Sequence, residues 1–173
     1  MADSNITKKA LANALKDLVE EKEFSQIRVA DICEKCGMNR KSFYYHFKDK
    51  HDLVNWIFDT EFIEVIEEKE DWEIRDLTEA LCNFLYENRT FYRKALAVKG
   101  QNSFSDHFHE LLYNSLRTNL QQRTGLEQVN DFQAIFFSDA IVMTFKRWIL
   151  DKNCMKPEEF LEQLQLCIQC LTV

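Results

Sequence analysis

Glycine and proline are nearly missing from this chain: 173 residues contain three glycines and one proline. A sheet protein needs a tight turn about every 8–12 residues, and those turns depend on such residues, so an all-α fold is expected. Also missing is any apolar run approaching the roughly 18 residues of a membrane span, and the opening MADSNITKK lacks the apolar core of a secretory signal. A cytoplasmic globular protein is expected. Disulfide scaffolding is equally unsupported. Cys33, Cys36, Cys82, Cys154, Cys167 and Cys170 sit mostly within apolar helical patterns rather than Gly-rich loops, which predicts reduced, packed thiols. No Ser/His/Asp order, paired-carboxylate setting or Gly-rich phosphate loop is recognisable. His107 and His109, two residues apart, face different sides of a helix. No catalytic residue, metal or cofactor is therefore expected.

What is present is enough apolar material, 46% of residues, for one real core or at most two small domains. Leu11, Ala14, Leu15, Leu18 and Val19 follow the spacing of one buried helix face, with Asn5 or Thr7 placed to cap it. A short helix is predicted over residues 29–35, stopped at Gly37, followed by a second over 40–46 capped by Asn39. Two short helices joined through one glycine make a helix-turn-helix. A longer helix starts near Lys50, and further helices are predicted over 75–87, 90–98, 105–122, 128–151 and 157–171. Pro157 followed by two glutamates is a helix start.

Charge is unevenly placed. Residues 1–52 hold ten Lys/Arg against nine Asp/Glu, a balance of +1, and residues 53–173 hold twelve against twenty, a balance of −8, which gives the net −7. Within 35–50 the basic residues Lys35, Arg40, Lys41, Lys48 and Lys50 face a single acid, Asp49. A basic patch on an acidic body attracts phosphates locally while the body repels non-specific contact. On the helix over 40–46, Arg40, Lys41, Tyr44 and Tyr45 project outward if Phe43 and Phe47 pack inward. Such a helix is suited to the major groove of DNA.

The stretch VADICEKCGMNRKSFYYHFKDKHDL resembles the DNA-binding module of the tetracycline-repressor (TetR) family of bacterial regulators. The matching elements are Ile32, Cys36, Gly37, Asn39, Tyr44, Tyr45, His46, Phe47, Lys48, Lys50 and Leu53, within a likeness spanning about residues 7–55. Arg28 stands where the family commonly has a capping threonine, and Lys41 where it often has a small residue. The resemblance implies a three-helix DNA-binding domain over 1–52 and a helical ligand-sensing and dimerisation domain over 53–173. It implies DNA contacts from Arg28, Asn39, Arg40, Lys41, Ser42, Tyr44, Tyr45, His46, Lys48 and Lys50. Cys33 and Cys36 occupy positions where the family carries alanine, so packing explains them better than zinc, which needs about four ligands.

Beyond residue 53 the expectations are assembly and signal input. FQAIFFSDAIVMTFKRWIL is apolar nearly all round, and the last helix repeats apolar residues at four- and three-residue steps. Phe136, Phe160, Leu164, Cys167 and Leu171 are the candidate homodimer contacts. A dimer suits a near-palindromic double-stranded operator. Phe84, Tyr92, Phe108, Tyr113, Phe137, Asp139 and Trp148 are the candidate lining of an effector pocket. FYYHFKDKHDLVNWIF is similar to a subgroup that includes the activator of dihydroxyacetone-kinase operons, whose members can take their signal from a partner protein instead of a small molecule. The alternatives are a helical protein-interaction module with a non-functional DNA head, or a thiol- or metal-dependent enzyme.

Overall fold

The computed structural model describes residues 2–67, 72–98, 103–124 and 131–170, and among these no strand occurs. Helix α1 spans Ala2–Glu21 and buries Leu11, Ala12, Ala14, Leu15, Leu18 and Val19. It begins earlier than its apolar face requires. Asn5 and Thr7 consequently lie inside the helix rather than capping it. A single 3-10 turn, Phe24–Gln26, leads to α2 (Val29–Lys35) and α3 (Arg40–His46). Phe24, Ile27, Ile32, Phe43 and Phe47 close the core beneath α1, each at most 3% exposed.

Helix α4, Lys50–Phe58, starts from the carboxylate of Asp49, which accepts the backbone N–H groups of His51 and Asp52 at 2.7 and 3.0 Å. Those donors have no partner within the helix, so the cap supplies one. A π-helical turn, Asp59–Ile63, and α5, Glu64–Glu67, continue it. Across this connector Phe58 and Phe62 face the core, while Asp59 and Glu61 reach neighbouring helices. The apolar positions beyond one narrow face thus serve packing on both sides.

The remaining elements are α6 (Ile74–Glu87), α7 (Arg89–Leu96), α8 (Phe104–Thr124), α9 (Asp131–Leu150) and α10 (Pro157–Cys170). α8 lies along α9, α10 on α6, and α7 touches both α1 and α9. Phe58 is the centre of an aromatic core, with ring centroids of Phe62, Phe84, Tyr92, Phe104 and Phe108 at 5.2 to 6.0 Å. A second cluster closes the far end, where Trp148 stacks on Phe160 at 4.2 Å and 5°. Edge-on and offset ring contacts add to the gain from burial alone.

Candidate nucleic-acid interface

The turn before α3 is built from local chemistry. Gly37 takes φ +68°, a left-handed conformation that costs glycine nothing. Its N–H donates to the Glu34 carbonyl at 3.2 Å, and the Met38 N–H donates to the Cys33 carbonyl at 2.8 Å. This pair of bonds is a Schellman closure, which satisfies carbonyls that α2 leaves open. Asn39 then caps α3, its Oδ1 accepting from the Ser42 N–H at 2.8 Å and from the Ser42 hydroxyl at 3.2 Å. Ser42, expected as a DNA contact, is half-buried and donates to this cap.

At the start of α2, Asp31 rather than Arg28 supplies the side-chain cap: its carboxylate accepts the Arg28 N–H at 2.9 Å. That bond, with Lys22 at 3.0 Å as the next cause, holds the Asp31 carboxyl below its ordinary range. The Arg28 side chain makes no cap bond and is exposed.

Anchored by Phe43 and Phe47, α3 turns a row of side chains to solvent. Tyr44 is 58% exposed and Tyr45 83%, and Arg40, Lys41 and Lys48 are exposed as well. The cations of this region fall into two groups. Lys22 pairs with Asp31, Lys35 with Glu21 and Lys16 with Glu61, whereas Arg40, Lys41 and Lys48 have no carboxylate partner among the described residues. His46 is half-buried, its ring 4.9 Å from that of Tyr45 and 6.3 Å from that of Phe47.

Lys50 differs from the expectation of a phosphate contact. Its ammonium donates to the carbonyls of Phe24 at 2.6 Å and Ile27 at 2.8 Å and sits 4.6 Å above the Phe24 ring. Burial pulls its pKa below the ordinary lysine value. Lys50 thus fastens the 24–27 turn to the start of α4. Lys8, not singled out from sequence, lies 5.9 and 5.6 Å from the Phe47 and Trp56 ring centroids and braces α1 behind α3. No short-range pattern signals either arrangement, because both join segments distant in sequence.

The candidate pocket residues do not converge. Phe84, Tyr92 and Phe108 belong to the Phe58 cluster, and Trp148 belongs to the Phe160 cluster. Tyr113 donates to Asp131 at 3.2 Å, while Phe137 and Asp139 are exposed on α9. A shallow groove of about 140 Å³ lies elsewhere, between α6 and α10, lined by Arg75, Glu79, Asn83, Pro157, Leu161 and Gln165 among others.

Among the candidate dimer contacts, Phe136 is 53% exposed and Cys167 is exposed. Leu164 packs partly against the core, and Leu171 lies outside the described residues. Phe160 is only 5% exposed, held within the chain by Trp148 and Phe145. Phe132, Ile135 and Met143, within the stretch expected for assembly but not among the named contacts, leave large apolar side chains in solvent together with Phe136 and Leu166 of α10.

Ser138, His109 and Asp139 gather at the α8–α9 contact, yet both oxygens meet the same imidazole nitrogen: Ser138 Oγ at 3.1 Å and Asp139 Oδ1 at 2.9 Å from Nε2. A Ser-His-acid relay needs the acid on the other nitrogen. No group of metal-ligating side chains occurs among the described residues, nor does any helix there have the length and apolarity to cross a membrane.

Comparison with known proteins gives the arrangement a lineage. Residues 11–57 match the family described as bacterial regulatory proteins, tetR family, and residues 72–170 match a transcriptional regulator C-terminal region of the same family. The chain is 36% identical over 101 residues to the HTH-type dhaKLM operon transcriptional activator DhaS of Lactococcus lactis subsp. lactis (strain IL1403). That match covers 57% of this chain and about half, 53%, of the relative. A solved structure of a dihydroxyacetone kinase operon activator DhaS superimposes with a TM-score of 0.68 at 25% identity, covering 96% of each chain. A TetR regulator from Streptococcus agalactiae 2603V gives 0.69 at 21% identity, over 94% of this chain and 93% of that one, a likeness of fold. With one family match running from within α1 to α4 and another over most of the remainder, the chain belongs to the TetR family of bacterial regulatory proteins.

Proposed function

We propose that this chain is a homodimeric, sequence-specific DNA-binding transcriptional regulator working in the cytoplasm, and not an enzyme. The observation that carries the reading is the division of cations around α3. Lys22, Lys35 and Lys50 beside the helix are tied to carboxylates or carbonyls, whereas Arg40 and Lys41 on it and Lys48 just after it face solvent with Tyr44 and Tyr45. In this reading residues 1–52 form the DNA-binding domain, with α3 in the major groove. Arg40 and Lys41 reach base edges from its first turn, while Tyr44, Tyr45, Arg28 and Lys48 hold phosphates. Lys50, Asn39 and Ser42 act indirectly, by fixing the helix.

Residues 53–173 form the dimerisation and sensing domain. The exposed apolar row of α9, Phe132, Ile135, Phe136 and Met143, is buried against the same row of a second copy. An isologous interface of this kind makes the two α3 helices related by a two-fold axis, as a near-palindromic operator requires. The input is an effector ligand or a partner protein acting on this domain. Likeness to an operon activator supports a transcriptional output.

The test is a titration of the purified protein against duplex DNA from around its own gene and against an unrelated duplex, at several salt concentrations. Tight, salt-sensitive binding that prefers its own DNA, and that weakens in Tyr44→Ala and Lys48→Ala, is expected. Equal weak binding to both duplexes, unchanged in the variants, would favour a protein-interaction module instead.

A further inference from the structure

Two consecutive residues of one short helix hold the ends of two different helices. Arg93 of α7 donates from Nε to the Ile149 carbonyl at 2.8 Å and from Nη2 to the Asp151 carbonyl at 2.8 Å, closing the C-terminal end of α9. Lys94 donates from Nζ to the Val19 carbonyl at 2.6 Å and to the Lys22 carbonyl at 3.2 Å, closing the C-terminal end of α1. Carbonyls at such ends have no donor within their own helix and carry the negative end of its dipole, so a cation there gains on both counts. α1 has no basic residue in its own last turn. The cation comes instead from more than 70 residues away.

α7 itself is firmly seated. Phe91, Tyr92, Ala95 and Leu96 are all buried, none more than 6% exposed, which leaves the two cations little freedom to follow either helix independently. α1 in turn packs on α2, and α2 on α3, with Phe43 of α3 in the same core. A continuous chain of contacts therefore runs from α9, whose apolar row is the proposed interface, through Arg93 and Lys94 to α1 and the α3 helix it supports. The Lys16–Glu61 pair ties α1 to the connector instead and leaves the end of α9 untouched.

We infer that Arg93 and Lys94 are positioning residues that fix the DNA-binding domain relative to the interface helix and so set the separation of the two α3 helices in the dimer. The inference rests on the dimeric DNA-binding reading given above. Neither residue touches DNA in it. Their loss alters which operator spacing is accepted, an effect distinct from a general weakening.

The experiment uses the full chain and duplexes that the wild-type protein selects from a random-sequence library. Affinity is measured for the best duplex and for versions with one or two base pairs added or removed between its half-sites. Wild type is expected to lose about tenfold or more per altered step, since each base pair turns one half-site about the duplex axis by about a tenth of a turn. Lys94→Met and Arg93→Met are expected to cut that penalty to about threefold or less, and Lys94→Arg to restore it. Lys94→Gln keeps a donor without the charge and serves if the methionine variant does not fold. A spacing penalty unchanged from wild type, or a loss equal for every spacer, overturns the inference, as does a wild type indifferent to spacing. A wild type that selects no duplex at all overturns the DNA-binding reading first and the inference with it.

Discussion

The Lys50 ammonium lies 2.6 Å from the Phe24 carbonyl, so the second lysine of the Lys-Asp-Lys run is a structural clamp while the first, Lys48, is displayed. The two should separate on substitution. Lys50→Ala leaves the Phe24 and Ile27 carbonyls without this donor, and a loss of about 1–3 kcal/mol of stability is expected in thermal or urea unfolding. Lys48→Ala should leave the melting temperature unchanged and reduce the slope of log affinity against log salt by about 1. A stable Lys50→Ala protein with only a DNA-binding defect would refute the assignment.

Phe160 and Phe136 offer a similar contrast. Truncating Phe160 removes the ring stacked on Trp148 and should cost about 3–5 kcal/mol of folding stability. Phe136→Asp places a charge on an exposed ring position and should leave the fold intact while shifting the chain from dimer to monomer in sedimentation. Retention of the dimer by Phe136→Asp, together with Phe132→Asp, would place the interface elsewhere.

Thiol reactivity follows burial. The thiol of Cys82, fully buried, is pushed up to about 12, first by burial and then by Glu79. Burial also raises Cys33. Alkylation at pH 8 read by mass spectrometry should label exposed Cys167 well before Cys82 and Cys33. The sign of the stability effect follows from linkage. Between the ordinary thiol value and about 12 the unfolded chain releases the Cys82 proton and the folded chain keeps it, so stability is full below about pH 9 and falls as pH rises above it. Cys82→Ala should flatten that alkaline loss; the same slope in both proteins would assign it to other groups.

Tyr92 carries a buried hydroxyl without a hydrogen-bond partner among the described residues, amid the rings of Phe58, Phe84 and Phe104. Burial, with Asp59 and Glu61 nearby, raises its pKa well above the ordinary value. Removing an unsatisfied polar atom while keeping the ring is expected to be neutral or to stabilise by about 1 kcal/mol in Tyr92→Phe. A clear destabilisation on calorimetry would reveal a partner for the hydroxyl.

How much could be read in advance depended on the range of the interaction. The Gly37 turn, the Asn39 cap, the bounds of α2 and α3, and the inward Phe43 and Phe47 all rest on neighbours within a few residues, and each agrees with its expectation. The helix-turn-helix was therefore legible. The start of α1 was not, because Asn5 and Thr7 are good caps that a longer helix simply incorporates. Aromatics at helical spacing suit a pocket lining and suit equally the ring cluster that Phe84, Tyr92 and Phe108 join.

By itself the sequence determined the all-helical class, the family and the outward row of α3, since scarce turn residues, apolar periodicity and short capping motifs act locally. Only the tertiary structure decided which cations are available. Lys48 and Lys50 stand two residues apart with the same charge, and Arg93 and Lys94 are adjacent, yet their partners come from the 24–27 turn and from the ends of α9 and α1. A lysine's role is set by the nearest unsatisfied carbonyl or carboxylate in space, and folding, not sequence spacing, brings that group near.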